Sequence, residues 1–210
     1  MSKGKLISFE GIEGVGKSTT IKFIKKYLED NNILVYCTRE PGGTKYGESL
    51  RDILLSNKTN ISAEAELLLL FSIRNQHIEE IIKPKIDQGY WVLCDRFIDA
   101  SIAYQGYGKK INLEKINILI DNFTDNMIPD ITMFFDLPYN LAEKRFPKNK
   151  KKDRFENLEN SFFEDVYKGY KYQLNNNKNR IKRIDANCSK KEVCRQIELA
   201  LIEKFKNILS

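Results

Sequence analysis

The chain alternates short apolar runs with longer stretches in which apolar positions recur every three or four residues. Leu6–Phe9, Ile33–Thr38, Tyr90–Cys94, Ile131–Leu137 and, more weakly, Ile181–Asp185 read as strands. Ser18–Glu29 predicts a helix with Ile21, Ile24 and Leu28 on its inner face. After a loop punctuated by Pro41, Gly42 and Gly43, Glu48–Leu55 predicts a short helix. Ser62 is placed to cap a long helix through Glu79, with Glu64 and Glu66 at its positive end and Pro84 set to kink or restart it. Asn112–Phe123 predicts another helix, and Ser189-Lys-Lys-Glu192 is a capping-box start for a closing helix over Ser189–Leu209. The nearly continuous apolar character of Tyr90–Cys94 suggests burial on both faces. Strands separated by helices imply βαβ units: an α/β fold in three layers, with a five-stranded parallel sheet between helices. Such sheets bind ligands beyond the carboxyl ends of their strands, so the chemistry is expected just after each strand.

Composition removes several classes of function. At 210 residues, with 41% hydrophobic and 30% charged positions, the chain can bury a core without disulfides or metal, and its length fits one domain over 1–210. No apolar run approaches the ~20 residues of a membrane span, and the start leaves no room for a signal peptide. Cys37, Cys94, Cys188 and Cys194 match no zinc or CxxC spacing and read as reduced thiols, so a cytoplasmic setting without a membrane partner is expected. The net charge of +6 comes from lysines scattered along helices, with no arginine-aromatic stripe, so no nucleic-acid partner is expected.

Gly11-Ile12-Glu13-Gly14-Val15-Gly16-Lys17-Ser18 satisfies GxxxxGK[ST], directly after a strand and opening a helix. Glycines let successive backbone N–H groups turn toward phosphate oxygens, and the helix start adds its positive end. Lys17 supplies a point charge to the β- and γ-phosphates, and Ser18 a hydroxyl ligand for Mg²⁺. Thr19 continues the motif. Asp95, just past an apolar strand, is the candidate carboxylate for Mg²⁺, and Arg96 beside it can clamp a phosphate.

The remaining segments are ambiguous on their own. Thr38–Thr44 could be any loop of an α/β protein. Phe71 and Arg74 could be a core ring and a solvent-facing charge, Tyr104 simple packing and Gln105 a turn residue. His77, the single histidine, fits a surface or locally bonded residue better than a catalyst. The basic stretch Lys144–Glu156 reads as a solvated face or as a lid that brings arginine to the triphosphate.

Together these motifs resemble the bacterial thymidylate kinase family of P-loop nucleoside monophosphate kinases. The resemblance spans almost the whole chain: FEGIEGVGKST, TREPGGT, the helix of Arg74, CDRFIDASIAYQG, the DLP turn at Asp136–Pro138 and KDRFE. It implies ATP as donor with Mg²⁺, dTMP as acceptor, a homodimer, and a lid at about 145–158. It further implies that Glu13 approaches the deoxyribose 3′-hydroxyl and that Arg51 and Arg96 hold the dTMP phosphate. Arg74 and Gln105 would hydrogen-bond thymine, with Ser101 near the base and Tyr104 against the sugar. Arg145 would pack on adenine, and Arg154 would be the lid cation, since this P-loop has no arginine. Two positions depart from the family pattern. Ala100 stands where a small hydroxyl residue is usual. Leu70 stands where the thymine-stacking ring is usual, so either Phe71 stacks from a shifted helix face or an aliphatic surface replaces the ring. A kinase for another acceptor would leave TREPGG and AYQG without an account. A GTPase-like switch would need DxxG and NKxD elements, and neither occurs.

Overall fold

The computed structural model describes residues 3–145, 154–155 and 157–209. Strands β1 (Lys5–Glu10), β2 (Val35–Arg39), β3 (Trp91–Asp95), β4 (Ile131–Asp136) and β5 (Ile181–Asp185) form one parallel sheet in the order β2-β3-β1-β4-β5. The central strands carry the apolar runs, and every residue of β4 is buried, as parallel sheets covered on both faces require. Phe9 lies opposite Asp95, and Glu10 opposite Phe134. The segments leaving β1, β3 and β4 therefore emerge at one edge of the sheet.

Helix α1 (Lys17–Asp30) buries Ile21, Ile24 and Leu28 as its periodicity predicts. Helix α2 spans Lys45–Leu55, three residues longer at its start than expected, because Thr44 caps it by accepting from Gly47 N. In α3 (Ala63–His77) Ser62 accepts from Ala65 N. The α-helix expected to reach Glu79 stops at His77 and widens into a π-helical turn over Ile78–Ile82 before α4 (Lys83–Asp87). Pro84 cannot continue a regular ladder, and the wider turn absorbs the missing N–H.

Helix α5 (Ile98–Ser101) runs into a second π-helical turn over Ile102–Gly108, so Gln105 sits in that turn and not in a reverse turn. Helix α6 covers Leu113–Phe123. Helix α7 (Tyr139–Ala142) is followed by a 3₁₀ turn over Glu143–Arg145. Helix α8 (Asn160–Asn176), absent from the sequence reading, packs across the second π-helical turn. Gly169 permits that approach, since a Cβ there would lie 2.8 Å from Ala103 Cα.

Helix α9 (Lys190–Lys204) starts at its expected cap, Ser189, but ends before Leu209. Phe205 and Leu209 turn back into the core, where Phe205 meets Trp91 at 4.6 Å between ring centroids. Burial, not helix, explains the apolar period there. Of the expected lid at about 145–158, residues 146–153 and 156 lie outside the described residues. No helix among the described residues is long and apolar enough to cross a membrane.

Candidate active site

The carboxyl ends of the strands open into a cavity of about 730 Å³. At one end the P-loop turns from β1 into α1. Gly16 caps α1 with φ 95°, a left-handed conformation that a side chain would strain. Lys17 Nζ donates to the carbonyls of Gly11 (2.8 Å) and Ile12 (2.9 Å), so two of its three donors fix the ammonium over the loop. Burial, then the like charge of Arg96, pull the Lys17 ammonium down to about 8. Gly14, Gly16, Ser18 and Thr19 line the cavity with Lys17. Ile12 and Val15 turn into the core, and Gly11 presents its carbonyl. These three are therefore not brought to the cavity wall as side chains.

Ser18 Oγ lies 3.4 Å from Asp95 Oδ2. The other Asp95 oxygen, Oδ1, is the one buried side-chain polar atom without a hydrogen-bond partner among the described residues. A buried carboxylate oxygen left unpaired beside a hydroxyl is a donor set that fits a hard cation such as Mg²⁺.

Arg96 follows Asp95 with φ 70°, an uncommon conformation for a side-chain-bearing residue, held by its own N–H on Phe9 O at 3.0 Å. Its guanidinium donates to Gly11 O (2.9 Å), Tyr170 OH (3.0 Å) and Glu13 Oε1 (2.7 Å), and lies 4.8 Å over the Tyr104 ring. Tyr104 OH donates to Glu13 Oε2 at 2.8 Å. Burial alone would raise Glu13, but Arg96 and Lys17 outweigh it and hold the carboxyl below its usual value.

Behind this cluster stands Glu10, which accepts from Phe97 N (2.7 Å) and Tyr170 OH (2.9 Å). Burial, helped by the Asp99 charge, pushes Glu10 up to about 8. Its folded pKa lies above the unfolded value, so the native state holds the extra proton below about 8. Stability is then lost as pH rises from the unfolded carboxyl pKa through about 8. Glu10→Gln removes the charge, keeping the bond from Phe97 N on its oxygen while its NH₂ donates to the Tyr170 hydroxyl oxygen. Thermal melts are expected to show a smaller drop in Tm from pH 6 to pH 9 than in the parent, and an equal drop would place the titration elsewhere.

At the other end of the cavity, Arg74 donates through Nε to Glu40 Oε2 (2.7 Å), through Nη1 to Ser101 Oγ (2.9 Å) and through Nη2 to Phe97 O (3.1 Å). It is 2% exposed, not solvent-facing. His77, expected at the surface or locally bonded, is neither: it is buried between Glu40 Oε1 (3.1 Å) and Thr38 Oγ1 (2.7 Å), both far along the chain. Arg51 donates to Pro41 O at 2.7 Å, and Arg51, Ser101, Tyr104 and Gln105 all line the cavity. Leu70 lines it as well. Phe71 does not; it packs with Leu67, Ile102 and Ile116, and Arg74 lies 4.8 Å over its ring. Of Leu70 and Phe71, the structure thus brings the aliphatic side chain to the cavity wall.

Arg145 lines the cavity and donates to Ala186 O at 2.9 Å. Arg154, expected over the triphosphate, is seated elsewhere. It donates to Leu54 O (2.7 Å) and Glu66 Oε2 (2.6 Å) and lies over Phe155. The buried Glu66 carboxylate offers the guanidinium a charged partner that open solvent does not. Glu66, read only as a helix-end charge, is fully buried. Sequence reasoning missed Glu10, Glu66 and Tyr170. A charged residue ending an apolar strand was the signal for the first; the third lay on an unrecognised helix.

The family model for thymidylate kinase matches residues 9–197. The thymidylate kinase of Psychrobacter sp. (strain PRwf-1) is 43% identical, over 94% of this chain and 96% of its own. That of Vesicomyosocius okutanii subsp. Calyptogena okutanii (strain HA) is 45% identical, over 96% and 98%. The crystal structure of thymidylate kinase from Ehrlichia chaffeensis superposes with a TM-score of 0.76 at 31% identity, covering 95% of this chain and all of that one. With the motif set, the cavity and these relatives in agreement over nearly the full length, the chain belongs to the thymidylate kinase family.

Proposed function

We propose that this chain transfers the γ-phosphoryl group of ATP to the phosphate of dTMP, giving dTDP and ADP for dTTP synthesis, and that the cavity described above is where it does so. The observation that carries this reading is that one cavity holds the P-loop lysine at one end and the buried Arg74–Ser101 and Gln105 groups at the other, with Arg96 between. A phosphate oxygen of dTMP attacks the γ-phosphorus, and the bond to the β,γ-bridging oxygen breaks toward ADP. No general base is required, because a phosphate monoester has its second pKa near ~6 and is already ionised at neutral pH. Catalysis is then positioning plus charge neutralisation. Lys17 neutralises the donor, and Arg96 orients the acceptor phosphate while Glu13 and Tyr104 hold its guanidinium. Arg51 is a second acceptor cation. Ser18 and Asp95 would hold Mg²⁺, which when bound neutralises charge on the β- and γ-phosphates.

The same reading gives Arg74, Ser101, Leu70 and Gln105 to the base, Tyr104 to the sugar and Arg145 to adenine. Arg154 in its present seat serves the acceptor end, and a role at the transferring group requires it to leave Glu66. The free cysteines fit a reducing, cytoplasmic setting. A homodimer fits the face shared by α2, α3 and α6. Tyr46, Leu68 and Phe123 are exposed there, and bonds from Tyr46 to Ser72 and from Asn75 to Phe123 O tie the three helices.

Coupled measurement of ADP release with dTMP, dUMP, dCMP and dGMP, with Mg²⁺ and with chelator, tests the reading. Turnover is expected with dTMP, weaker with dUMP, and lost with chelator. Equal turnover of dCMP would overturn the base assignment. Light scattering of the same preparation is expected to give twice the chain mass.

A further inference from the structure

Glu66 sits in the first turn of α3, fully buried, and both carboxylate oxygens are engaged. Oε1 accepts from Gln105 Nε2 at 3.0 Å, and Oε2 accepts from Arg154 Nη2 at 2.6 Å. An ionised carboxylate only accepts hydrogen bonds, and the Arg154 guanidinium keeps the ionised form paired. The side-chain amide of Gln105 must therefore turn its NH₂ toward Glu66. Its oxygen, Oε1, points the other way. That oxygen takes no hydrogen bond among the described residues, yet it is not among the atoms sealed from solvent, and Gln105 lines the cavity.

We propose that Glu66 is a positioning residue for base selection: it locks the Gln105 amide so that the cavity meets an acceptor and not a donor. This rests on the reading that Gln105 faces the base. A fixed acceptor complements the N3–H of an imide base such as thymine or uracil. Cytosine presents a lone pair at N3, so two acceptors would face each other. A site that leaves its own polar group unpaired rejects the wrong base far more strongly than one missing methyl does. Glu66 makes no contact with the base itself. Its effect reaches the substrate only through the direction of the Gln105 amide, which a neutral neighbour would leave free to flip.

The test is kcat/KM for dTMP, dUMP and dCMP in the parent, in Glu66→Gln and in Gln105→Ala. Glu66→Gln is isosteric but can both donate and accept. It is expected to lower the dTMP/dCMP ratio by about tenfold or more, while the dTMP/dUMP ratio stays within about twofold of the parent, since those two share the imide edge. A general loosening of the pocket would instead erode both ratios. If Glu66→Gln retains the parent dTMP/dCMP ratio while Gln105→Ala loses it, the positioning role is wrong and the Gln105 reading stands. If Gln105→Ala also retains the ratio, the base reading fails with it. Should Glu66→Gln alone not fold because it strands the Arg154 charge, Glu66→Gln/Arg154→Gln removes both charges together, and the same ratios decide.

Discussion

Replacing Lys17 with alanine is expected to lower kcat by about 10³-fold or more while leaving the protein folded. The ammonium is the one P-loop cation, and it is fixed over the loop by the Gly11 and Ile12 carbonyls. Its loss removes neutralisation of the donor phosphates where charge shifts during transfer. Stability should move the other way. Burial holds the folded pKa of Lys17 at about 8, below the unfolded lysine value, so below about 8 the native state bears the full cost of the buried charge. That cost is relieved as pH rises through 8 toward the unfolded pKa. At pH 7, Lys17→Ala is therefore expected to melt no lower than the parent, with turnover all but lost. A variant that kept near-parent kcat would remove Lys17 from the chemistry. One that lost activity and melted much earlier would make the loss uninterpretable, and nucleotide binding by the alanine and methionine variants would then decide.

Arg96→Lys is expected to lower kcat/KM for dTMP by about 10²-fold, and Arg96→Ala by somewhat more. The guanidinium reaches Gly11 O, Tyr170 OH and Glu13 in three directions while its face lies on Tyr104. A lysine carries the same charge but offers no planar fork, so it cannot make these contacts and still present a bidentate edge to a phosphate. The consequence is misplacement of the acceptor, and about 1 Å there can cost ~10²-fold in rate. The measurement is steady-state kinetics with dTMP varied at saturating ATP, beside thermal melts. If the lysine variant stays within about twofold of the parent, charge alone matters at this position and the clamp is wrong.

Those two residues were legible before any fold was known, because each lies in a segment that directly follows a strand and Lys17 belongs to a motif of fixed spacing. The strand centres, the P-loop turn, and the caps Ser62 and Ser189 were legible for the same local reason. What could not be read depended on partners far along the chain. His77 looks like a surface residue until Glu40 and Thr38, 37 and 39 positions away, close over it. Glu66 matches a helix-end acid until Arg154, 88 positions on, arrives. Helix α8 begins without a side-chain cap, and its buried Phe163, Val166 and Tyr170 are spread among lysines, asparagines and acids. Its start at Asn160 thus carries no local signal. Between Leu70 and Phe71 the sequence left the choice open, because helical spacing alone does not say which of two adjacent apolar residues faces a cavity.

The order of strands in the sheet bears on how the protein is made. β1 is central, yet both of its neighbours come later, with Lys5 opposite Trp91 and Ile7 opposite Ile131. Ser18 and its partner Asp95 are separated by 77 positions. During synthesis the P-loop therefore leaves the ribosome long before the carboxylate and the arginine that complete it. An emerging chain has a phosphate-binding loop with no edge to lean on and, for Glu13, neither Arg96 nor Tyr104 to pair with. The long loop closures that unite them slow folding, and the complete site exists only once β3 has joined β1.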